Sequence, residues 1–120
     1  MRQTGIFAAC GLVSLMDWEE KIRTDNLNAS FMAHEIAEMP GVNMAPADCE
    51  TNICRVRFTP ELLKRLKTDY RKISQRLKEE EHIMCNAGVA NDYIRFVTHR
   101  DVNRADCEKV VKAVKRLVTQ

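Results

Sequence analysis

The chain has 120 residues, of which 45% are hydrophobic and 30% are charged. This composition is typical of one soluble globular domain with its own core, and it excludes an intrinsically disordered chain. Its 19 Lys and Arg residues and 17 Asp and Glu residues give a net charge of +2. A charge this small predicts no nucleic-acid partner, and no apolar run reaches the roughly 20 residues needed to cross a bilayer. We therefore expect a cytoplasmic protein with no membrane partner.

The cysteines favour reduced thiols over a disulfide framework. Their number is odd and none forms a CxxC pair: Cys10, Cys49, Cys54, Cys85 and Cys107. A disulfide framework would leave one of them unmatched, whereas free thiols are usual in a reducing compartment. A metal site could be assembled from Cys49, Cys54 and the segment 82–85, but their spacing is looser than in known metal sites. Cys54 also falls on the packed face of a predicted strand, where unreactive buried thiols are common. We predict no metal.

The N-terminal third predicts two helices. Over residues 1–16, apolar residues recur at steps of three and four, which predicts a helix lying tightly against another surface: Ile6, Ala9, Val13 and Met16. A charged break at 17–21 separates it from a second helix, whose apolar stripe extends to Met39 and which Pro40 and Gly41 end.

The segment 53–58 predicts a half-buried strand. Its apolar residues alternate with Arg55 and Arg57, so one face packs and the other meets water. Thr59 is placed to cap a following helix and Pro60 suits its first position. We expect that helix to run without interruption to about Glu81.

The basic residues of this predicted helix, from Lys64 to Lys78, leave two interpretations open. They suit nucleic-acid contact, but Asp69 interrupts them and the acidic residues 79–81 close the run. A solvated helix face is the commoner explanation, and we predict that one.

The remaining residues predict two short strands and a last helix. The strands, 83–86 and 93–98, are joined through Ala87 and Gly88. The helix runs over about 105–118, with Asn103 as its cap and Asp106 in its first turn. The order of elements predicts an α+β fold, a small and mostly antiparallel sheet covered by helices, with a helical part at 1–39 and an α/β sandwich part at 40–120.

Composition and periodicity identify no chemistry, but several short motifs resemble a known family. They occur in this order along nearly the whole chain: Met1-Arg2-Gln3, Gly5, Ala8-Ala9, Gly11-Leu12, Asn28-Ala29, Glu50-Thr51-Asn52, Ile94-Arg95-Phe96-Val97-Thr98-His99 and Asp101-Val102. Together they resemble the C-terminal third of L-threonine aldolase. The resemblance implies the C-terminal small domain of a fold-type I pyridoxal-phosphate enzyme, spanning 1–120.

The resemblance also implies an activity and a cofactor. Family members are homo-oligomers that cleave L-threonine and L-allo-threonine to glycine and acetaldehyde, and pyridoxal 5'-phosphate withdraws the electrons released by the broken bond. The family's glycine run and cofactor-binding lysine precede the Met-Arg-Gln motif. We therefore expect a fragment or a truncated gene product that begins at an internal methionine, has no catalytic residue of its own and is inactive alone.

Four residues are candidates for the site. Arg95 lies among apolar neighbours, so it either binds an anion or reaches the sheet edge, and the resemblance implies that it binds the α-carboxylate of an amino-acid substrate. Arg2 is the implied ligand of the cofactor phosphate at a subunit boundary, with solvent exposure as the alternative. For His99 and Asn52 we favour hydrogen bonding within a turn or to the backbone.

A second hypothesis is a free-standing, non-catalytic interaction module derived from this domain. In either case we expect the apolar face of the first helix to have lost its natural cover. Because large exposed apolar patches tend to be buried somewhere, this predicts a homo-oligomer.

Overall fold

The structure, a computed structural model, describes residues 2–120 and confirms the α+β fold. Met1, where the first predicted helix and the Met-Arg-Gln motif begin, lies outside the described residues. Five helices and three strands alternate in the order α1, α2, β1, α3, α4, β2, β3, α5: α1 (Thr4–Leu15), α2 (Trp18–Ala37), β1 (Ile53–Val56), α3 (Pro60–Arg65), α4 (Tyr70–Glu81), β2 (Asn86–Ala87), β3 (Ile94–Val97) and α5 (Arg104–Val118). A short 3₁₀ turn occupies Pro46–Asp48.

The three strands form one antiparallel sheet with β3 in the centre, in the order β1-β3-β2. Cys54 pairs with Phe96 and Val56 with Ile94, and all four side chains are buried on one face. Because side chains alternate along a strand, Arg55 and its partner Arg95 lie on the opposite face. The sheet therefore has one packed face and one open face, as the alternation at 53–58 predicts.

The packed face of the sheet shares a single hydrophobic core with α2, α4 and α5. These helices contribute buried apolar side chains from one side each: Met32, Ala33, Ile36, Ile73, Leu77, Val114 and Leu117. A period of three and four residues places these positions on one helix face, so burying them leaves the charged residues outside. The core lies entirely within the part of the chain after residue 27.

Two of the predicted helix starts are confirmed in atomic detail. Thr59 caps α3 by accepting a hydrogen bond from the backbone N–H of Leu62 at 3.3 Å. Asn103 and Asp106 form a reciprocal capping box at α5, in which each side chain accepts from the other's backbone N–H at 2.9 and 3.0 Å. Such caps satisfy N–H groups that have no partner within the helix.

The prediction of one uninterrupted helix over 60–81 is wrong. The chain leaves α3 after Arg65, adopts a left-handed conformation at Lys67 (φ 50°) and starts again as α4. Asp69 caps the new helix by accepting from the backbone N–H of Lys72 at 2.9 Å. Local capping by an aspartate competes with helix continuation, which is why the break falls here.

The predicted charged break at 17–21 is also wrong, because four of its five residues belong to α2. Only Asp17 breaks the helical path, with a φ of 57°. Glu19 and Glu20 lie in the first turn of α2, where acidic side chains interact favourably with the helix dipole. At the other end the helix stops at Ala37, two residues before the predicted Met39.

The strand predicted over 83–86 is reduced to Asn86–Ala87. The preceding residues are held by α4 instead, because the Ser74 hydroxyl donates to the carbonyl of Cys85 at 2.7 Å. The backbone N–H of Ile83 donates to Leu77 at 3.0 Å. Because these hydrogen bonds are made to α4, residues 83–85 pack against the end of that helix and do not pair with the sheet.

The first helix forms as predicted, but no part of residues 2–120 buries it. None of its side chains is buried, and Phe7 and Leu12 are 67% and 68% exposed. The expectation that α1 lies tightly against a neighbouring surface is therefore wrong within this chain. No helix among the described residues is long and apolar enough to span a membrane.

Candidate functional site

The open face of the sheet carries the residue that sequence reasoning places in the site. Arg95 lies on the central strand, where its register partners are Arg55 on β1 and Asn86 on β2. Arg57 follows one residue after the end of β1, and its backbone carbonyl accepts from the N–H of Asn43 at 2.8 Å. We call Arg55, Arg57, Tyr93 and Arg95 the arginine face.

Arg95 is half-buried, and part of its guanidinium is cut off from water. Its Nε atom is buried and donates no hydrogen bond. Among residues 2–120 no acidic side chain forms an ion pair with it. Buried donors are nearly always paired in folded proteins, so the unpaired Nε sets Arg95 apart from the other arginines of this face.

Arg55 and Arg57 are exposed and share one aromatic neighbour. Their guanidinium carbons lie 5.5 and 5.6 Å from the centre of the Tyr93 ring. A β-carbon built on Gly88 would lie 2.7 Å from the Cε1 atom of this ring, so the absence of a side chain at Gly88 makes room for Tyr93. Gly88 also donates its backbone N–H to the carbonyl of Tyr93 at 2.9 Å.

This arrangement places three like charges together, and none of them forms an ion pair within residues 2–120. The acidic side chain in this neighbourhood is that of Asp92, whose Oδ1 atom lies beside the Tyr93 ring, 2.6 Å from the position of a β-carbon built on Gly88. Arg55 faces Arg95 directly across the sheet, and like charges in that position destabilise a strand pair. A guanidinium offers two parallel N–H groups that match a carboxylate. The chemistry that the arginine face supports is therefore the binding of an anion.

Asn52 and Thr98 fix the end of the sheet next to this face. The Asn52 side chain donates to the carbonyl of Thr98 at 2.7 Å, and the fully buried Thr98 hydroxyl donates to the carbonyl of Asp25 at 2.7 Å. The two motifs Glu50-Thr51-Asn52 and Ile94 to His99 are thus brought together in space. The role of Asn52 is backbone pairing, as we favour from the sequence.

His99 is exposed in the turn that follows β3. Its Nδ1 atom accepts a hydrogen bond from the backbone N–H of Asp101 at 3.3 Å, and its carbonyl accepts from Val102 at 2.8 Å. These contacts lie within its own turn, in line with the structural role that we favour.

Arg2 lies apart from any enclosed site. It is exposed, and every residue of the helix that follows it is exposed as well. Residues 2–120 therefore do not by themselves fit pyridoxal phosphate at this end of the chain, because nothing there encloses a ring or a phosphate. The role of Arg2 stays a prediction, and so does that of Arg95.

The cysteines are free thiols, and burial makes several of them hard to ionise. Burial raises the pKa of Cys54 to about 12, with smaller contributions from the neighbouring thiols of Cys49 and Cys107. Burial also raises the pKa of Cys49 and Cys85. No group of three or more metal-ligating side chains occurs in the described part of the chain.

One basic residue of the predicted long helix forms an ion pair within the described residues, and the last acidic residue of the helix pairs with α5. Arg76 contacts Glu80 at 3.2 Å, and Arg116 of α5 contacts Glu81 of α4 at 2.6 Å. The interpretation of this surface as a solvated helix face stays a prediction.

One groove lies away from the arginine face. It has a volume of about 560 Å³ and runs along α2 beside Trp18, Ile22 and Cys49. A groove of this size without a buried polar ligand group gives weaker support for a binding site than the orphaned donor of Arg95 does. We therefore place the candidate site on the sheet.

Comparison with known proteins supports a similarity to one enzyme. No family model matches the chain. Over 110 residues, 92% of this chain, it is 32% identical to the low specificity L-threonine aldolase of Escherichia coli strain K12 and to that of Escherichia coli O157:H7. The chain resembles part of a threonine aldolase. The matched segment is 29% of each relative, so the chain spans less than a third of the length of the enzymes it matches.

Sequence reasoning missed Arg55, Arg57 and Tyr93 as members of the site. It assigned the two arginines to a wet strand face, which is where they lie, but not to the neighbourhood of Arg95. The signal available was the shared alternation of 53–58 and 93–98, which only the pairing register turns into proximity.

Proposed function

We propose that this chain is the substrate-carboxylate-binding part of a threonine-aldolase-type lyase, with L-threonine and L-allo-threonine as substrates. The proposal rests above all on Arg95, whose buried Nε has no partner. The similarity to the two bacterial enzymes supports the choice of reaction. The products are glycine and acetaldehyde, and we assign the reaction to the cytoplasm.

In this proposal the task of Arg95 is orientation. Two of its N–H groups donate to the two oxygens of the α-carboxylate. Because the guanidinium is planar and sits on the central strand, it fixes both the position of the carboxylate and the plane in which it lies. Arg95 moves no proton and forms no covalent bond.

Pyridoxal phosphate is the cofactor that we propose for the complete enzyme, where it supplies electron withdrawal from the bond that breaks. The described residues do not enclose a ring or a phosphate, so in this proposal Arg2 is the ligand that the chain contributes to the cofactor phosphate, and the other binding groups belong to the complete enzyme. What this chain contributes is a fixed carboxylate and, through the packed sheet behind it, a rigid support for Arg95.

We further propose that the enzyme is a homo-oligomer assembled through α1. The helix has no charged residue, and its apolar side chains are exposed on all sides, with Ile6 and Val13 at 64% and 60%. A helix that is hydrophobic all round is normally buried. A second copy of α1 is a neutral and self-complementary partner, as a two-fold interface requires.

The reaction is tested with a chimera. This chain replaces the matched 110 residues of the Escherichia coli enzyme, and acetaldehyde release from L-threonine is measured with and without Arg95→Gln. Leaving a bound carboxylate without its charged partner costs about 3–5 kcal/mol, so we expect kcat/KM to fall by more than about 100-fold.

Arg100→Gln is the matched control, since Arg100 is an exposed arginine of the turn after β3. We expect it to leave kcat/KM within about threefold, because it removes a charge without removing a proposed ligand. A folded, active chimera in which Arg95→Gln behaves like Arg100→Gln would contradict the proposal.

The exposed apolar surface of α1 also favours the second hypothesis, a non-catalytic interaction module. Pyridoxal phosphate and borohydride are added to the purified chain, and modified lysines are identified by mass spectrometry. A stoichiometric adduct on a single lysine would contradict the expectation that the chain alone holds no cofactor.

A further inference from the structure

Two members of the arginine face have no task in the proposed function. Arg55 is on β1 and Arg57 is one residue beyond its end, and both guanidinium groups lie over the Tyr93 ring. Neither guanidinium donates a hydrogen bond or forms an ion pair with residues 2–120. Each offers five N–H donors, and all of them are free to bind a ligand.

The Tyr93 ring holds these two cations near each other. Each guanidinium lies within 6 Å of the ring centre, the range in which cation–π attraction operates. The ring is half-buried, and Gly88 lies against it. The two side chains are thus partly ordered before any ligand arrives, which lowers the entropic cost of binding.

The position of the pair relative to Arg95 suggests which ligand it recognises. The Cα atom of Arg55 is about 5 Å from that of its register partner Arg95, and the Cα atom of Arg57 lies about 7 Å further along the chain, just beyond β1. A ligand held by Arg95 through one anionic group therefore has a second anion-binding site within the reach of a short side chain.

Building on the proposed function, we propose that Arg55 and Arg57 bind a second anionic group, a carboxylate or a phosphate, at the side-chain end of the amino acid whose α-carboxylate Arg95 binds. The substrate class is then a β-hydroxy-α-amino acid with an anionic side chain. Uncharged L-threonine occupies only part of the site. The step is recognition, and no bond is made or broken by these two residues.

The test is a titration of the purified chain, in which binding is measured by isothermal titration calorimetry and by NMR. Three probes are compared: L-threonine, L-threo-3-hydroxyaspartate for the carboxylate, and O-phospho-L-threonine for the phosphate. We expect at least one anionic probe to bind about 10- to 100-fold more tightly than L-threonine, as charge-assisted hydrogen bonds predict.

Matched variants locate the effect. The double variant Arg55→Gln/Arg57→Gln is expected to abolish the preference for the anionic probes, so that they bind no more tightly than L-threonine does to the same variant. The control Arg23→Gln/Arg100→Gln removes the same net charge from exposed positions elsewhere and is expected to keep the preference. Gly88→Ala, which displaces the Tyr93 ring, is expected to weaken the preference in part.

The outcomes separate this inference from the proposed function. Equal affinities for all three probes, or equal losses in both double variants, overturn the second subsite, and the proposed function survives if Arg95→Gln still weakens L-threonine binding. If the affinity for the anionic probes depends on Arg55 and Arg57 but not on Arg95, the second subsite is supported and the proposed role of Arg95 is contradicted. Binding of none of the probes overturns the inference.

Discussion

Replacing Arg95 with methionine is expected to stabilise the chain while removing the proposed ligand. Methionine keeps an unbranched stem of similar length, so the packing against neighbouring residues is largely retained. The substitution removes a buried Nε donor that has no partner, which is worth about 1–3 kcal/mol. It also removes a like charge directly opposite Arg55, worth about 0.2–1 kcal/mol.

We expect the free energy of unfolding to rise by about 1–3 kcal/mol in Arg95→Met, measured by urea denaturation followed by circular dichroism. Arg55→Met is the matched control. It removes the same like-charge repulsion, but it also removes the contact between Arg55 and the Tyr93 ring at 5.5 Å, and it does not remove a buried unpaired donor. We therefore expect it to change the free energy of unfolding by no more than about 0.5 kcal/mol. Arg95→Met that is less stable than the parent chain, or no more stable than Arg55→Met, would refute the reasoning.

Four further predictions concern the rest of the fold. His82→Gly is expected to raise the free energy of unfolding by about 0.5–1 kcal/mol in thermal melts, because His82 ends α4 in a left-handed conformation (φ 56°) that glycine adopts without strain; a lower stability than the parent would count against this. Thr98→Val is expected to lower the free energy of unfolding by about 1–3 kcal/mol in urea denaturation, since it leaves the carbonyl of Asp25 without its 2.7 Å hydrogen bond. An unchanged midpoint would show that this hydrogen bond does not stabilise the contact between the sheet and α2. The Cys54 thiol ionises near pH 9 when unfolded but only near about 12 when folded, so stability is retained below pH 9 and falls as the pH rises from there toward 12. Cys54→Ala is expected to make that fall less steep in urea denaturation measured across the same pH range, and an equally steep fall would show that other groups cause it. Phe7→Asp is expected to convert an oligomer of the chain into a monomer in light scattering, whereas Val89→Asp, at an exposed residue far along the chain, keeps the oligomer; a parent chain that is monomeric at high concentration would refute assembly through α1.

Local signals predicted the elements whose cause is local. The Thr59 cap with Pro60 and the Asn103 and Asp106 box lie where the sequence places them, because a cap depends on residues within one helical turn. The alternation of 53–58 likewise fixed which face of β1 packs. Such features need no knowledge of the rest of the chain.

Features decided by competition between neighbouring elements were harder to predict. The apolar period alone suggests one helix over 60–81, yet Asp69 offers a cap and Lys67 accepts a left-handed turn. The segment 83–85 has strand-like residues, but Ser74 captures the carbonyl of Cys85. At 83–85 a side chain eleven residues away decides the outcome, whereas at 60–81 a local cap outweighs the apolar period.

The candidate site also combines features that the sequence predicts with features that it does not. The resemblance pointed to Arg95, and its alternation with apolar neighbours placed it on a strand. That Arg55 stands opposite it follows only from the pairing register, which depends on how β1 and β3 meet around the shared core. The orphaned Nε is a property of the packed sheet, and no sequence pattern reports it.

The central claim, that Arg95 binds an amino-acid carboxylate, is tested most directly by NMR of the Arg95 Nε–H group in the isolated chain. Titration with L-threonine is compared with titration with threoninol, which has the same amine and hydroxyls but an alcohol in place of the carboxylate. The account predicts a saturable downfield shift of this one resonance with L-threonine and none with threoninol. No shift with L-threonine, or the same shift with both, would contradict it.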